Sequence, residues 1–163
     1  MYFRNEITIP LTKKAMEEQE LDRALRHEYV HAFIAELSGF KCPAWLDEGV
    51  AQILEGPANP VLAPALREWI AENNSIPLDS LEHGFTTLED DMVPAAYAES
   101  LFVTKSLIRK KGFASIVDYL KNLRAGMSSR SAFRVAFGQS QKSFENNLTK
   151  RIRSWSNSLH SSP

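Results

Sequence analysis

The sequence predicts a mainly α-helical domain of the α+β kind, with a short strand or small sheet at its N-terminus followed by about seven helices. Apolar residues recur at helical spacing along most of the 163 residues. Glycine and proline separate these segments, and only the first eleven residues combine alternation with β-branched side chains. No linker-like stretch divides the chain, which is long enough to bury one core. We therefore expect a single domain over residues 1–163.

Local signals predict each element in turn. Residues 2–11 contain the β-branched run Ile7-Thr8-Ile9 and form one predicted strand, which Pro10 ends. Residues 74–92 are turn-rich and acidic, and we expect them to be irregular. Seven helices are predicted from periodicity and from capping residues such as Gly39, Asn59-Pro60, Gly112 and Gly138, over residues 19–38, 44–55, 59–73, 93–111, 113–124, 129–137 and 140–158.

Composition excludes several classes of protein. The formal charge is −1 and the charges are interspersed, which argues against nucleic acid or an acidic membrane as the main partner. Cys42 is the single cysteine, so neither an internal disulfide nor a cysteine-based zinc ribbon can form. No apolar run reaches the length of a membrane span, and the N-terminus lacks the pattern of a signal peptide. By default we expect a cytoplasmic protein without membrane insertion.

The stretch His27-Glu28-Tyr29-Val30-His31 has the form H-E-x-x-H. On a helix, residues i and i+4 lie about one turn apart on the same face, so His27 and His31 can bind one ion together. Glu28 lies roughly 100° round the helix from His27, where its carboxylate can take a proton from a metal-bound water. The motif therefore indicates a metal centre with a built-in general base.

The segment around this motif supports the same interpretation. In LRHEYVHAFIAEL, residues 25–37, apolar side chains wrap nearly the whole helix, so the helix is expected to be largely buried. Buried polar groups without partners cost a few kcal/mol, and a metal with a bound water would satisfy both imidazoles and the carboxylate. The alternative is a pair of core histidines satisfied by neighbouring carbonyl groups. The paired spacing and the intervening glutamate favour the metal.

Catalytic zinc usually takes three protein ligands and leaves one position for water. Glu48 is the best candidate for the third ligand, because it follows His31 by seventeen residues on a helix that a short loop folds back. Three alternatives are weaker. Cys42 lies in the connecting loop and suits a small buried hydrophobe, His83 lies in a turn-like segment, and Asp47 points about 100° away from Glu48.

Taken together, HEYVH and PAWLDEGVAQILEG resemble the zincin-like gluzincin metallopeptidases, specifically the bacterial peptidase-MA-like domains. The related aminopeptidase-N group has the same H-E-x-x-H followed by W-L-x-E-G-x-A, which is residues 45–51 here. This resemblance implies Zn²⁺ bound by His27, His31 and Glu48, with Glu28 as general base and acid. It continues weakly through AAYAESLFVTKSLIRKKG and AFRVAFGQSQKSFENNL towards the C-terminus.

Two further roles are implied by the resemblance alone. Tyr97 matches a tyrosine whose hydroxyl steadies the tetrahedral oxyanion, the alternative being a core tyrosine. Glu55 resembles an acid that orients a ligating histidine, the alternative being an exposed carboxylate at a helix end. The chain lacks the glycine-rich aminopeptidase motif that fixes a substrate amine. It also has one predicted strand before the zinc helix where the full fold has several, with residues 5–10 as the edge available to an extended substrate.

The function implied is zinc-dependent hydrolysis of peptide bonds in a peptide or protein substrate. A second hypothesis is a non-catalytic, zinc-containing binding or regulatory domain derived from a peptidase. The missing strands favour it, whereas Glu28 disfavours it, since a structural site needs no base. A third hypothesis, a helical interaction module without metal, requires three coincidences at His27, His31 and Glu48. The sequence does not predict the oligomeric state.

Overall fold

The structure is a computed structural model that describes residues 2–3, 6–7, 18–57 and 59–158, with side chains from residue 20 onwards. Its elements are β1 (Tyr2–Phe3), β2 (Glu6–Ile7), α1 (Glu18–Ser38), α2 (Ala44–Leu54), α3 (Leu62–Glu72), α4 (Val93–Lys111), α5 (Ala114–Arg124), α6 (Ser129–Phe137), α7 (Gln141–Glu145) and α8 (Leu148–Ser158), with a 3-10 turn at Leu78–Leu81. The prediction of a mainly helical domain is confirmed. No helix among these residues is long and apolar enough to cross a membrane.

The continuous strand predicted over residues 2–11 is not seen. The short strands β1 and β2 have two residues each and pair antiparallel, with Tyr2 opposite Ile7. This pairing requires the chain to reverse direction between them, which a single strand across the region cannot do. The predicted substrate-pairing edge, residues 5–10, lies outside the described residues except for β2.

The bounds of the later helices are set by the residues that cap them. Helix α6 begins after Ser128, whose hydroxyl accepts the Ser131 N–H, and ends at Gly138, which has a left-handed φ of 70°. The helix predicted over residues 140–158 is divided in two, because α7 ends before Asn146-Asn147 and α8 begins after them. Asparagine side chains compete for backbone hydrogen bonds and so favour such a break.

The turn between α1 and α2 brings the two predicted motifs together. Gly39 and Phe40 both have left-handed backbone conformations, with φ of 64° and 61°. The Phe40 N–H donates to the Ala35 carbonyl at 2.8 Å, which closes the end of α1. The chain therefore reverses within five residues, and α2 packs against α1.

Helix α4 lies at the centre of the fold and packs against α2, α3 and α5. Its contact with α2 is unusually close at Gly49, where a Cβ atom would lie 2.1 Å from Thr104 Oγ1 and 2.6 Å from the Ser100 carbonyl oxygen. Trp45 and Leu46 at the start of α2 have no exposed surface and anchor it in the core. Glycine at position 49 thus permits the helix contact that fixes the neighbouring Glu48.

Candidate metal centre

His27, His31 and Glu48 come together where α1 faces α2. Their nearest ligand atoms all lie within 4.8 Å of one another. His27 Nε2 is 3.6 Å from Glu48 Oε2, and His31 Nε2 is 3.8 Å from Glu48 Oε1. The two imidazole rings lie edge to face with centroids 4.6 Å apart, as expected for i, i+4 neighbours on one helix face. The structure therefore brings together the three residues that the sequence predicts as metal ligands.

This donor set fits a zinc ion. Four ligands at 2.0–2.2 Å in a tetrahedron are separated from each other by about 3.3–3.6 Å, close to the two separations between imidazole and carboxylate atoms. Glu48 Oε2 is buried and has no hydrogen-bond partner. An unsatisfied buried acceptor costs about 1–3 kcal/mol, more when it is charged, and a cation between the three side chains removes this cost.

Each histidine is oriented by a carboxylate on its other ring nitrogen. Glu55 Oε2 lies 2.6 Å from His27 Nδ1, and Asp47 Oδ1 lies 2.8 Å from His31 Nδ1. A proton on Nδ1 that is donated to a carboxylate leaves the Nε2 lone pair free. Both Nε2 atoms then present lone pairs towards Glu48, which is the tautomer that a metal ligand needs.

The charges of these acids also change the titration of the two histidines. Burial lowers the pKa of His27, but Glu48 and Glu55 outweigh burial and raise the pKa to about 9. Burial likewise lowers the pKa of His31, and there Asp47 and Glu48 outweigh it, so the pKa is raised. The pocket between α1 and α2 therefore attracts positive charge, whether this is carried by protons or by a metal ion.

Glu55 is buried, with 7% of its surface exposed, and it does not end α2 as a solvated carboxylate. Burial raises the pKa of Glu55, but His27 and Arg23 outweigh it and hold the pKa below its usual value. Arg23 Nε donates to Glu55 Oε1 at 3.1 Å. Arg23, Glu55 and His27 thus form a chain of polar contacts that ends at a candidate ligand.

Arg23 and Asp47 have roles at this site that were not predicted from the sequence. Arg23 precedes His27 by four residues, so helix periodicity places it on the same face, one turn away. Asp47 does point away from Glu48, as expected, but this direction leads to His31 Nδ1. The signal that could have identified Asp47 is the general need of a ligating histidine for an acceptor on its second nitrogen.

Tyr97 projects from α4 towards the same site. Burial raises the pKa of its hydroxyl, and the nearby charges of Glu48 and Glu28 raise it further. Its ring packs edge to face against Phe85, with centroids 4.8 Å apart. Gln52 Nε2 donates to the Tyr97 carbonyl oxygen at 3.1 Å, which ties α4 to α2. The structure thus places a protonated phenol within electrostatic reach of both site glutamates.

Two of the alternative ligands remain outside the group of three. Cys42 lies beside α2, where its thiol donates to the Pro43 carbonyl oxygen at 3.6 Å and burial raises its pKa well above the usual value. His83 is exposed and follows the 3-10 turn. Among the described residues, neither belongs to the group that could hold a metal.

Comparison with known protein families assigns most of the chain to a family. The family model described as Peptidase MA superfamily matches residues 4–155. No curated protein and no solved structure gives a significant match. The relation to the aminopeptidase-N group stays a prediction. The family match covers nearly the whole chain, including α1, α2 and α4 with every candidate site residue. The chain therefore belongs to the Peptidase MA superfamily.

Proposed function

We propose that this chain is a zinc-dependent metallopeptidase that hydrolyses peptide bonds in peptide or protein substrates. The observation that carries the proposal is the convergence of His27, His31 and Glu48 within 4.8 Å, with Glu28 next to His27 on the same helix. Membership of the Peptidase MA superfamily supports a peptidase-like fold for the same residues. A base beside a three-ligand site is the arrangement that metal-assisted hydrolysis needs.

His27 and His31 would hold the zinc ion through Nε2, because their Nδ1 atoms are occupied by Glu55 and Asp47. Glu48 would supply a carboxylate oxygen, which removes the unsatisfied acceptor at Oε2. When bound, Zn²⁺ supplies a Lewis acid that brings the pKa of a water towards neutrality and polarises the scissile carbonyl.

Glu28 moves the proton. Its carboxylate accepts a proton from the attacking water and later passes it to the leaving amine, as general base and then general acid. Glu28 lies roughly 100° from His27 on α1, so it can stand beside the bound ion without being a ligand. A structural metal site has no use for a carboxylate in this position.

Tyr97 would donate a hydrogen bond to the oxyanion that develops on the substrate carbonyl. A tyrosine hydroxyl is protonated at neutral pH, and burial together with the charges of Glu48 and Glu28 raises the pKa of Tyr97 further. Only the protonated hydroxyl can act as a donor. Donors of this kind contribute on the order of 10²–10³ in kcat.

The test begins with metal content. Protein purified without a nickel column is analysed by mass spectrometry, with a His27→Ala variant as control. We expect about one zinc per chain, lost in the control. A peptide library is then incubated with the wild type and with Glu28→Gln, which should keep the metal and lose turnover. Activity that persists in Glu28→Gln, after removal of contaminating proteases, would exclude the mechanism.

A second candidate function is a zinc-containing binding or regulatory domain without catalysis. The observation that favours it is the small size of the sheet. In the part of the chain that the structure describes, the sheet consists of β1 and β2, with two residues each. Extended substrates usually gain affinity by pairing with a longer strand edge. Stoichiometric zinc with no hydrolysis of any library peptide would support this second function.

A further inference from the structure

Two cavities continue from the metal centre along α3 and α4. The inner cavity has a volume of about 330 Å³ and is lined by His27 and Tyr97, with walls formed by Val61, Leu62 and Val93. The outer cavity has a volume of about 160 Å³ and is lined by Leu66, Phe102 and Trp155, among others. No residue of the metal centre lines the outer cavity, so it lies farther from the candidate reaction site.

The inner cavity is suited to an uncharged side chain. The walls at the starts of α3 and α4 carry the aliphatic residues Val61, Leu62 and Val93, and the side towards α1 and α2 carries polar residues. Arg23 and Glu55 lie at its edge but are paired with each other, so they offer no free charge to a ligand. Gln52, which also lines the cavity, donates its amide N–H to the Tyr97 carbonyl oxygen, and its Oε1 is an uncharged acceptor without a partner among the described residues.

The outer cavity is smaller and mainly apolar, with Asn59 and Lys105 as the polar residues of its lining. Phe102 and Trp155 meet there with ring centroids 5.7 Å apart, and Leu66 closes it from α3. An apolar cavity of about 150 Å³ in a protein core is large enough for benzene. The outer cavity can therefore accept one apolar side chain up to the size of a phenyl group.

The two cavities adjoin, because Asn59 and Leu62 line both of them. In an extended peptide, neighbouring side chains point to opposite faces, whereas alternate side chains point to the same face roughly 6.5 Å apart. Two adjoining cavities that share part of one wall are therefore matched to side chains on the same face of an extended peptide, which are those of residues i and i+2. Adjacent residues of the substrate cannot fill both.

We propose that the inner and outer cavities are side-chain subsites on one side of the scissile bond, and that the substrate is an extended peptide with apolar residues at two alternate positions. The inference rests on the proposed peptidase function. The inner cavity takes the residue nearer to the metal centre, because His27 and Tyr97 form its wall. The outer cavity takes the residue two positions farther away.

Three matched variants test the assignment in hydrolysis. Val61→Trp narrows the inner cavity from a position that is 60% exposed, and Ala63→Phe fills the outer cavity. Val135→Trp is the control, since Val135 is 61% exposed on α6 and lines neither cavity. In a peptide library, we expect the wild type to prefer apolar over charged residues at both alternate positions by at least tenfold. Thermal melting checks that each variant is folded.

Each of the two cavity variants should change the preference at one substrate position. We expect Val61→Trp to lower kcat/KM about tenfold for substrates with phenylalanine at the inner position and to leave the outer preference intact. Ala63→Phe should do the reverse, and Val135→Trp should change neither. Hydrolysis with no preference, or with preference at adjacent positions, would overturn the assignment while leaving the proposed peptidase function in place.

Binding gives a readout that does not depend on activity. Trp155 lines the outer cavity, so its fluorescence should shift when a side chain enters, and Trp155→Phe should abolish that shift. The probes are two synthetic heptapeptides of equal composition, with two phenylalanines at alternate or at adjacent positions, added to the Glu28→Gln protein. We expect the alternate peptide to bind at least tenfold more tightly.

The two proposals can fail separately. If no peptide is hydrolysed but the alternate peptide binds with the Trp155 shift, the cavities stand as binding sites for two alternate side chains, whereas the peptidase function and the scissile bond beside them fall. If the two peptides bind equally, or if neither shifts the fluorescence of Trp155, the subsite assignment is wrong whatever the catalytic result.

Discussion

Gly49→Ala tests whether the close contact between α2 and α4 fixes the metal centre. An exposed helical glycine replaced by alanine usually gains up to about 1 kcal/mol of stability. Here the new Cβ would meet Thr104 Oγ1 at 2.1 Å and the Ser100 carbonyl oxygen at 2.6 Å. A hydroxyl can rotate away, but a backbone carbonyl inside α4 cannot, so α2 itself must move.

Overpacking of this kind costs about 1–3 kcal/mol, and the backbone clash places Gly49→Ala at the upper end. After the gain in helix propensity, we expect a net loss of about 2 kcal/mol. For a domain of this size, that corresponds to a fall in Tm of about 4–8 °C. Because Glu48 is the next residue, the same displacement should weaken zinc binding by about tenfold.

The assay for Gly49→Ala combines thermal unfolding of the metal-free protein with a zinc titration against a chromophoric chelator. Unfolding of the metal-free protein measures the effect of the altered packing on stability alone. The titration measures how far the displacement of Glu48 changes the affinity for zinc. A variant that melts at or above the wild-type temperature would refute the argument that α2 and α4 are held at this distance.

Three further predictions concern single side chains. Burial raises the pKa of Glu99 to about 8 from 4.5, so the native state keeps a proton that the unfolded chain releases, and stability falls as pH rises between these values. Glu99→Gln should remove this pH dependence, which amounts to at most about 5 kcal/mol in the free energy of unfolding, as measured by urea unfolding from pH 5 to 9. If the free energy of unfolding changes with pH in the same way in the two proteins, the prediction is wrong. Glu55→Gln should weaken zinc binding by about 10–100-fold in chelator competition, because His27 loses its orienting carboxylate; an unchanged affinity would show that Glu55 has no such role. Tyr97→Phe should lower kcat by about 10²–10³ with unchanged zinc content in single-turnover kinetics, and full activity would exclude Tyr97 as an oxyanion donor.

Local signals made much of the helical framework predictable. His27 and His31 share a face because helix geometry alone places i and i+4 together, and Gly39 ends α1 as its capping role predicts. The bounds of α4 and α6 coincide with the predicted ones, since Gly112 and Gly138 terminate them. These features depend on neighbours in sequence, which the sequence displays directly.

Features that depend on contacts between different elements were harder to predict from the sequence. The partner of Asp47 could not be predicted, because a helical projection gives the direction of a side chain but not what lies there. The contact of Gly49 with Thr104 depends on the packing of helices that are distant in sequence. The reversal between β1 and β2 was not predicted, because a short alternating segment is compatible both with one strand and with two shorter paired strands.

Helix α3 and the residue before it line the two cavities, whereas the candidate metal centre lies on other helices. The segment around its start supplies Val61, Leu62 and Ala63 to the cavities but no candidate ligand, base or oxyanion donor. Those groups belong to α1, α2 and α4; α2 is held against α4 at Gly49 and by the Gln52–Tyr97 hydrogen bond, and α1 packs against α2. If the two cavities bind substrate side chains as proposed, substitutions around residues 61–63 should change substrate preference and leave the candidate ligands, base and oxyanion donor in place. Residues 61–63 are therefore the first positions to vary in an attempt to change the specificity of this domain by design.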